Sequence, residues 1–211
     1  MFAIQGFLET LLDGAINDTE VNIKFLSKAA HHTNNLNNLL NDLIDISMIE
    51  SGQMRMSFDY FDISSLLEGI MIEFKPHADK KNIRLELYSQ NKKLELHGDQ
   101  ARLRQVFVNL ISNAIKYTEK GYISVLIDEE DAYCTISVTD TGIGIDADDV
   151  DRIFERFYRV DKIRSKELGG TGLGLAIVKH ILDAHNSKIK VKSKLHVGTK
   201  FSFMLKKRLI Y

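Results

Sequence analysis

Four short motifs follow one another in the second half of the chain; the first three combine amides, glycines or aromatic residues with charged side chains, and the fourth is rich in glycine. In order they read Asn109-Leu-Ile-Ser-Asn113-Ala-Ile-Lys116-Tyr117, Asp140-Thr-Gly142-Ile-Gly144, Phe154-Glu-Arg156-Phe157-Tyr-Arg159 and Gly169-Gly-Thr171-Gly172-Leu-Gly174-Leu. Glycines let a backbone approach a ligand closely, while amide oxygens and ammonium groups hold metal ions and anions. A chain with all four motifs must bring a helix, a strand end and a glycine loop to one ligand.

The first motif lies on a helix that Asp99 is expected to cap. Asn109, Asn113 and Lys116 share one face of that helix, beside an apolar stripe made of Leu103, Val106, Phe107, Leu110, Ile111 and Ala114. Two amide oxygens and an ammonium on one face can hold Mg²⁺ and a polyphosphate. The ordinary polar surface of a half-buried helix is the alternative for this segment taken alone.

The second motif runs from a predicted strand end into a glycine turn. Asp140 can accept a hydrogen bond from the exocyclic amine of adenine, and Gly142 and Gly144 let the backbone approach the base. A simple Asx turn is the alternative for Asp-Thr-Gly taken alone.

The fourth motif precedes an apolar helix, and amides at a helix start can cradle phosphates with help from the helix dipole. A dinucleotide-binding fold is excluded, because Gly170, Gly172 and Gly174 are spaced two apart and no parallel βαβ unit follows.

Helical spacing in the first quarter of the chain predicts a helix over 1–12 and a long helix over about 17–51. The seam of the second helix is Phe25, Ala29, His32, Leu36, Leu39, Leu43 and Ile46. Two helices cannot bury such a stripe alone, so a dimer that forms a four-helix bundle is expected. We predict a helical hairpin domain over residues 1–55.

Residues 56–211 are predicted to form an α+β sandwich, with one mixed sheet and helices on a single face. The expected helices are 63–77, capped by Ser64 or Ser65, then one from Asp99 that Gly121 stops, a short one over 148–157 and one over 171–185. Alternation predicts strands at 83–87, 123–127 and 133–139, and two more around 189–191 and 201–205.

The composition excludes several classes of protein. A net charge of -1 gives no pull toward nucleic acid, and the absence of a long apolar run predicts no membrane contact within the chain. Cys134 is the only cysteine, so no disulfide forms within a monomer, and a reducing compartment such as the cytoplasm is expected. A cytoplasmic location also fits a chain that is the cytoplasmic part of a membrane-anchored sensor.

In this order the motifs resemble the N, G1, F and G2 boxes of sensor histidine kinases, within the ATPase superfamily that also holds gyrase, Hsp90 and MutL. The resemblance implies ATP and Mg²⁺ as cofactors, Asn113 as the metal ligand and Asp140 as the adenine contact. Asn109, Lys116 and Arg159 are the implied catalytic positions. Further implied nucleotide contacts are Tyr117, Gly142, Gly144, Arg164, Gly170, Thr171, Gly172, Leu173, Gly174 and Thr199.

The segment from Arg159 to Gly170 resembles the mobile ATP lid of the family, in which Arg159 and Arg164 match positions that reach phosphates. A solvated basic loop is the alternative. Phe154 and Phe157 are predicted to be hydrophobic anchors of the lid. Superfamily members that hydrolyse ATP place a glutamate where Asn109 stands, so phosphate transfer to a protein is predicted rather than hydrolysis.

None of the seven histidines is followed by the acidic residue and proline that mark the acceptor in this family. The acceptor is therefore expected to stand before Met1, removed by truncation or naturally absent. The resemblance implies a protein-histidine kinase core that does not phosphorylate itself, with a response regulator receiver domain as partner and a homodimer through the hairpin. A nucleotide-binding regulatory module without kinase activity is the alternative, while an ATP-hydrolysing clamp is disfavoured by Asn109.

Overall fold

The computed structural model of the protein describes residues 2–91, 93–160 and 170–208. The chain forms two compact units, residues 1–51 and residues 52–211. The first unit is a pair of α-helices, and the second combines helices with a five-stranded sheet. The predicted α+β class is confirmed.

The first unit is a hairpin of α1, Phe2–Leu12, and α2, Asn22–Glu50, joined through a short 3-10 helix at Ala15–Asn17. The predicted start of α2 near residue 17 is wrong. The carboxylate of Asp18 accepts the N–H of Glu20 at 2.9 Å, which closes a turn before the helix begins.

Within the hairpin, α1 packs against the N-terminal half of α2. The ring of Phe7 lies 5.7 Å from that of Phe25 and 5.8 Å from that of His32. Ala29 and Ile46 are buried. A stripe of large apolar side chains remains exposed on α2, comprising Leu36, Leu39, Leu40, Leu43, Ile44 and Met48.

The second unit contains three further helices and seven strands within its described residues. They are, in chain order, β1 (Asp59–Asp62), α3 (Ile63–Asp79), β2 (Ile83–Ser89), β3 (Glu95–Gly98), α4 (Gln100–Tyr117), β4 (Gly121–Glu129), β5 (Tyr133–Asp140), α5 (Gly174–Ala184), β6 (Lys190–Lys194) and β7 (Gly198–Lys206). The main sheet has the strand order β2-β4-β5-β7-β6. Its β2–β4 pair is parallel and its other pairs are antiparallel, so the sheet is mixed as predicted.

One face of the main sheet forms the core against the helices. Ile123, Val125 and Ile127 of β4 are fully buried, while Tyr122 and Leu126, which point to the opposite face, are exposed. The predicted apolar stripe of α4 is also buried throughout. Helices therefore cover a single face, as the order of strands and helices predicted.

The N-terminus of α3 differs from the prediction. Asp62 caps the helix, because its carboxylate accepts the N–H of Ser64 at 3.1 Å and the hydroxyl of Ser65 at 2.6 Å. The prediction of Ser64 or Ser65 as the cap is wrong, since both side chains lie inside the first turn. The same carboxylate accepts the N–H of Leu94 at 3.1 Å, which joins the helix start to the segment before β3.

Three further element predictions are wrong. Helix α4 ends at Tyr117, and Gly121 instead begins β4. The segment 148–157 forms hydrogen-bonded turns rather than a helix, and it closes on Phe157, whose φ is 61°. Helix α5 begins at Gly174, the last glycine of the fourth motif, rather than at Thr171.

The sequence analysis also missed β1 and β3, which form a separate antiparallel pair. Both strands are four residues long, too short for alternation to reveal them.

Candidate nucleotide site

Helix α4 presents the residues of the first motif beside the core. Asp99 caps this helix as predicted, because its carboxylate accepts the N–H of Arg102 at 3.0 Å. Asn109, Asn113 and Lys116 are partly exposed along the flank of the buried stripe. The helix therefore offers two amides and an ammonium on one accessible face.

The glycine segment before α5 lies against this face of α4. The Nδ2 of Asn109 donates to the carbonyl of Gly174 at 3.3 Å. A Cβ placed on Gly170 would lie 2.6 Å from the Nζ of Lys116, so the ammonium rests directly on this glycine. The first and fourth motifs, far apart in sequence, thus meet in space.

The start of α5 is open to an anion. Among the described residues, no side chain caps it, and no acidic residue occupies its first turn. Just before it, the hydroxyl of Thr171 accepts the N–H of Leu173 at 3.2 Å, which holds the bend before the helix. A helix N-terminus of this kind offers backbone N–H groups and a partial positive charge to a phosphate.

Gly172 is required by its conformation and its neighbour. Its φ is 74°, and a Cβ there would lie 2.9 Å from the carbonyl carbon of Phe157. Its carbonyl accepts the N–H of Phe157 at 2.9 Å, which ties the third motif to the fourth. Phe154 packs edge-on against Phe201, with ring centres 6.4 Å apart, and so acts as a hydrophobic anchor. For Phe157 that prediction is wrong, since its side chain is 64% exposed and its backbone makes the contact.

At the other end of the site, Asp140 closes β5. Its Oδ1 accepts the N–H of Gly142 at 2.8 Å, which is an Asx turn. Burial raises the pKa of Asp140, although hydrogen bonds from the backbone of Gly142 and Thr199 act in the opposite direction. A carboxylate that is partly stripped of water and keeps acceptor capacity suits a ligand N–H donor.

The turn after Asp140 docks on the last residue of α4. The N–H of Ile143 donates to the carbonyl of Tyr117 at 3.2 Å. A Cβ on Gly142 would lie 2.5 Å from that carbonyl oxygen, so only glycine allows this approach. The first and second motifs are therefore joined through the backbone of Tyr117.

Thr199 is buried and lies opposite Asp140 in the β5–β7 pairing. Its hydroxyl is 2.8 Å from that of Ser193, which also accepts the N–H of Ile145 at 2.8 Å. The sequence analysis missed Ser193, which only strand pairing brings to this turn. Gly144 has a φ of 69°, and a Cβ there would lie 2.1 Å from the carbonyl oxygen of Lys194.

Two cations lie near one another at the phosphate end of the site. The pKa of Lys116 is lowered, mainly by burial and secondly by the positive charge of Arg159. The Nζ of Lys116 also lies 5.1 Å from the centre of the Tyr117 ring. An anion bound there would relieve the repulsion between the two cations.

Arg164 lies outside the described residues, as do Lys162, Lys166 and Gly169. Two cavities, of about 500 and 480 Å³, lie away from the motifs, one bordered by Leu94 and Lys207 and one on the open face of the sheet. Neither cavity is lined by a motif residue, so neither is the candidate site. We place the candidate site where the contacts described above bring the four motifs together.

Residues 98–209 match the family model described as histidine kinase-, DNA gyrase B-, and HSP90-like ATPase. The chain belongs to this ATPase family. Its ATPase domain is of the sensor histidine kinase type, as the motifs implied.

Among relatives of the chain, the sensor histidine kinase WalK of Bacillus subtilis is 36% identical over 205 residues, which are 96% of this chain and 33% of WalK. The chain thus spans about a third of that relative.

Among solved structures, full-length ShkA in complex with AMPPNP has a TM-score of 0.77 at 28% identity, over 90% of this chain and 40% of ShkA. The Acinetobacter baumannii histidine kinase AdeS has a TM-score of 0.74 at 26% identity, over 98% of this chain and 94% of AdeS. Within the described residues of the chain, no helix combines the length and apolar character that crossing a membrane requires.

Proposed function

We propose that this chain is the catalytic core of a protein-histidine kinase. The γ-phosphoryl group of ATP is transferred to a histidine nitrogen: the bond from the γ-phosphorus to the bridging oxygen breaks, a phosphorus–nitrogen bond forms, and ADP leaves. An aspartate of a response regulator receiver domain then takes the phosphoryl group. The observation that carries this proposal is the convergence of Lys116, Gly170 and Asn109 at one end of a site that Tyr117 links to Asp140 at the other.

The phosphate end suits a polyanion. Lys116 is partly buried and its pKa is lowered in the presence of Arg159, so negative charge placed between them stabilises the charged form of both. The uncapped start of α5 adds backbone N–H groups from a third direction. Phosphoryl transfer needs mainly positioning and charge neutralisation, which these groups supply.

The adenine end suits a base with an amino group. Asp140 keeps acceptor capacity beside the donor of Gly142, and the close packing of Gly142 on Tyr117 leaves the turn compact. An ionised carboxylate accepts from the amino group of adenine, while guanine places a carbonyl at the matching position. Adenine selectivity is therefore assigned to Asp140.

Magnesium would be held at Asn113, whose amide oxygen is the kind of hard ligand that Mg²⁺ takes together with several waters. The fit lies in the chemistry of the donor set: Asn113 is partly exposed on the face of α4 that also carries Lys116, so its amide oxygen lies beside the proposed phosphate position. The remaining ligands of the ion would be water and phosphate oxygens. Mg²⁺ supplies neutralisation of phosphate charge when it is bound.

Transfer to a protein is favoured over hydrolysis because Asn109 is an amide. Its Nδ2 is engaged with the carbonyl of Gly174, and an amide has no basicity with which to take a proton from water. The acceptor histidine needs no such base, since a neutral imidazole nitrogen attacks with its own lone pair.

The hairpin is assigned to dimerization and to docking of the phosphorylatable histidine and the receiver domain. The exposed stripe of α2 gives it an apolar surface suited to a second copy. Because the reaction consumes ATP, the proposed place of action is the cytoplasm.

Radiolabelled ATP tests the proposal directly. The chain is incubated with Mg²⁺, γ-labelled ATP and a purified kinase fragment that carries a phosphorylatable histidine but lacks an ATPase domain. Label on that fragment that is stable to base and lost in acid is expected, because phosphohistidine is acid-labile. Lys116→Met should abolish the transfer, whereas Lys120→Met, at an exposed lysine just beyond the helix, should leave it unchanged. Release of inorganic phosphate with no label on any protein would contradict a kinase.

A further inference from the structure

Lys81 lies outside all four motifs, in the turn between α3 and β2, yet its ammonium reaches the end of α4. Its Nζ donates to the carbonyl oxygens of Ile115 at 2.6 Å, Lys116 at 3.1 Å and Thr118 at 3.2 Å. An ammonium has three protons, so these three bonds use its whole donor capacity. Lys81 therefore acts as a cap on the C-terminus of the helix that carries the first motif.

The end of α4 needs such a cap. The last carbonyls of a helix have no partner within it, and buried carbonyls that remain unpaired are costly. Thr118 is fully buried. Its N–H donates to Ala114 at 3.0 Å, and the N–H of Ile143 donates to Tyr117 at 3.2 Å. Lys81 satisfies the neighbouring carbonyls of Ile115, Lys116 and Thr118. Its positive charge also lies at the negative end of the helix dipole.

The same turn of α4 joins the two ends of the candidate site. Lys116 faces Gly170 at the phosphate end, and Tyr117 receives the turn that follows Asp140 at the adenine end. A shift or unwinding of this last turn would move both ends at once. The position of Lys116 relative to Asp140 thus depends on the group that holds the turn.

The backbone of Lys81 is itself fixed. Its N–H donates to Ala78 at 3.0 Å, and the next residue, Asn82, has a φ of 55° and donates to Asp79 at 3.0 Å. Ile83 then enters the sheet, where it is buried and pairs with Gly121. The ammonium is consequently presented from a rigid turn.

We propose that Lys81 is a positioning residue of the nucleotide site, which sets ATP affinity and adenine preference through the last turn of α4. The proposal rests on the proposed function, because it assumes that the nucleotide lies between Lys116 and Asp140. Lys81 does not touch the reacting atoms. Its loss should therefore raise the KM for ATP while leaving kcat at saturating ATP nearly unchanged.

Three variants test it: Lys81→Met, which removes the charge and the donors, Lys81→Arg, which keeps both, and Lys80→Met at the adjacent exposed lysine as a control. Calorimetry with Mg-ATP and Mg-GTP gives both affinities, and urea unfolding shows whether each variant is folded. Lys81→Met should weaken ATP binding by about tenfold or more and lower the ATP-to-GTP preference. Lys81→Arg should restore ATP affinity to within about threefold, and Lys80→Met should equal the original chain.

Amide hydrogen exchange in the nucleotide-free protein gives a second readout. The N–H groups of Ile143 and Thr118 should exchange faster in Lys81→Met, since both bond to the turn that Lys81 holds. A folded Lys81→Met that binds ATP as tightly as the original chain overturns the proposal. Failure of the original chain to bind ATP would instead refute the proposed function. If Lys81→Met does not fold, Lys81→Gln, which keeps two N–H donors without the charge, carries the same comparison.

Discussion

Asp140 lies partly buried at the end of β5, and that burial raises the pKa of its carboxyl group above the ordinary value of 3.8. A carboxyl group whose pKa is higher in the folded state stabilises the fold most below its ordinary pKa. That stability is lost as the pH rises through the raised value. At neutral pH the ionised side chain of Asp140 therefore lowers the free energy of unfolding of the nucleotide-free protein.

The substitution Asp140→Asn should have opposite effects on binding and on stability. ATP affinity should fall by about 10- to 100-fold, because a charged hydrogen-bond acceptor is replaced by a neutral one. The nucleotide-free variant should unfold at higher urea than the original chain at pH 7, and the difference should vanish below about pH 4. Calorimetry and urea titrations measure the two effects. Unchanged ATP affinity in a folded variant would remove Asp140 from the site.

The affinity for ATP should decline on both sides of neutral pH. Protonation of Asp140 begins at a higher pH than for an ordinary aspartate, and Lys116 loses its proton below the ordinary 10.5. The protonation of ATP itself changes the affinity equally in every variant, so differences between the pH profiles of the variants report on the substituted residue. Asp140→Asn should flatten the acid limb, and Lys116→Arg should move the alkaline limb upward, because guanidinium stays charged. Superimposable profiles for all three proteins would contradict both assignments.

Asn113 should matter mainly when magnesium is present. Asn113→Ala removes an amide oxygen that is proposed to contact the metal rather than the base, so the loss of ATP affinity should be about tenfold with Mg²⁺ and slight with EDTA. Calorimetry under the two conditions measures it. Equal losses with and without the metal would place Asn113 on the nucleotide instead.

Among the described helices and strands, α2 leaves the largest set of apolar side chains exposed. Phe7 of α1 covers Phe25 and His32, but the leucines farther along the helix remain 36–47% exposed. Contiguous exposed apolar side chains of this kind mark contact surfaces, and their heptad spacing fits a second helical hairpin.

Self-association should therefore depend on this stripe of α2. The double substitution Leu39→Glu and Leu43→Glu should convert a dimer into a monomer, because charges would be buried in the interface. Asn41→Glu, at an exposed polar position between them, is the matched control and should leave the dimer intact. Light scattering across a concentration series measures the mass. A chain that is already monomeric at high concentration would refute the dimer.

For the whole molecule, we expect the chain to bind ATP by itself but to transfer phosphate only to a separate acceptor. His31 and His32 lie on α2, where His32 stacks on Phe7, and neither has the acidic neighbour of an acceptor. The chain alone should bind ATP but acquire no acid-labile label, while a separate acceptor fragment becomes labelled. Incubation of the single chain with γ-labelled ATP, followed by acid and base treatment, measures this. Acid-labile label that disappears on substitution of His31 or His32 would show that the acceptor lies within these residues.

The sequence by itself determined the family, the α+β class and the faces of the main elements. Helical spacing was enough to place Asn109, Asn113 and Lys116 together beside a buried stripe, and alternation located the five strands of the main sheet. Such patterns are local, because the periods of helices and strands fix which side of an element each residue occupies.

Only the tertiary structure decided which residues of different elements contact one another. It set Lys116 on Gly170, brought Lys81 to the end of α4 and Ser193 to Thr199, and left the side chain of Phe157 exposed. It also placed the cap of α3 at Asp62, and it gave residues 148–157 a series of turns in place of the predicted helix. Contacts between elements distant in sequence depend on packing and on the path of the connecting segments, and no local period encodes either of these.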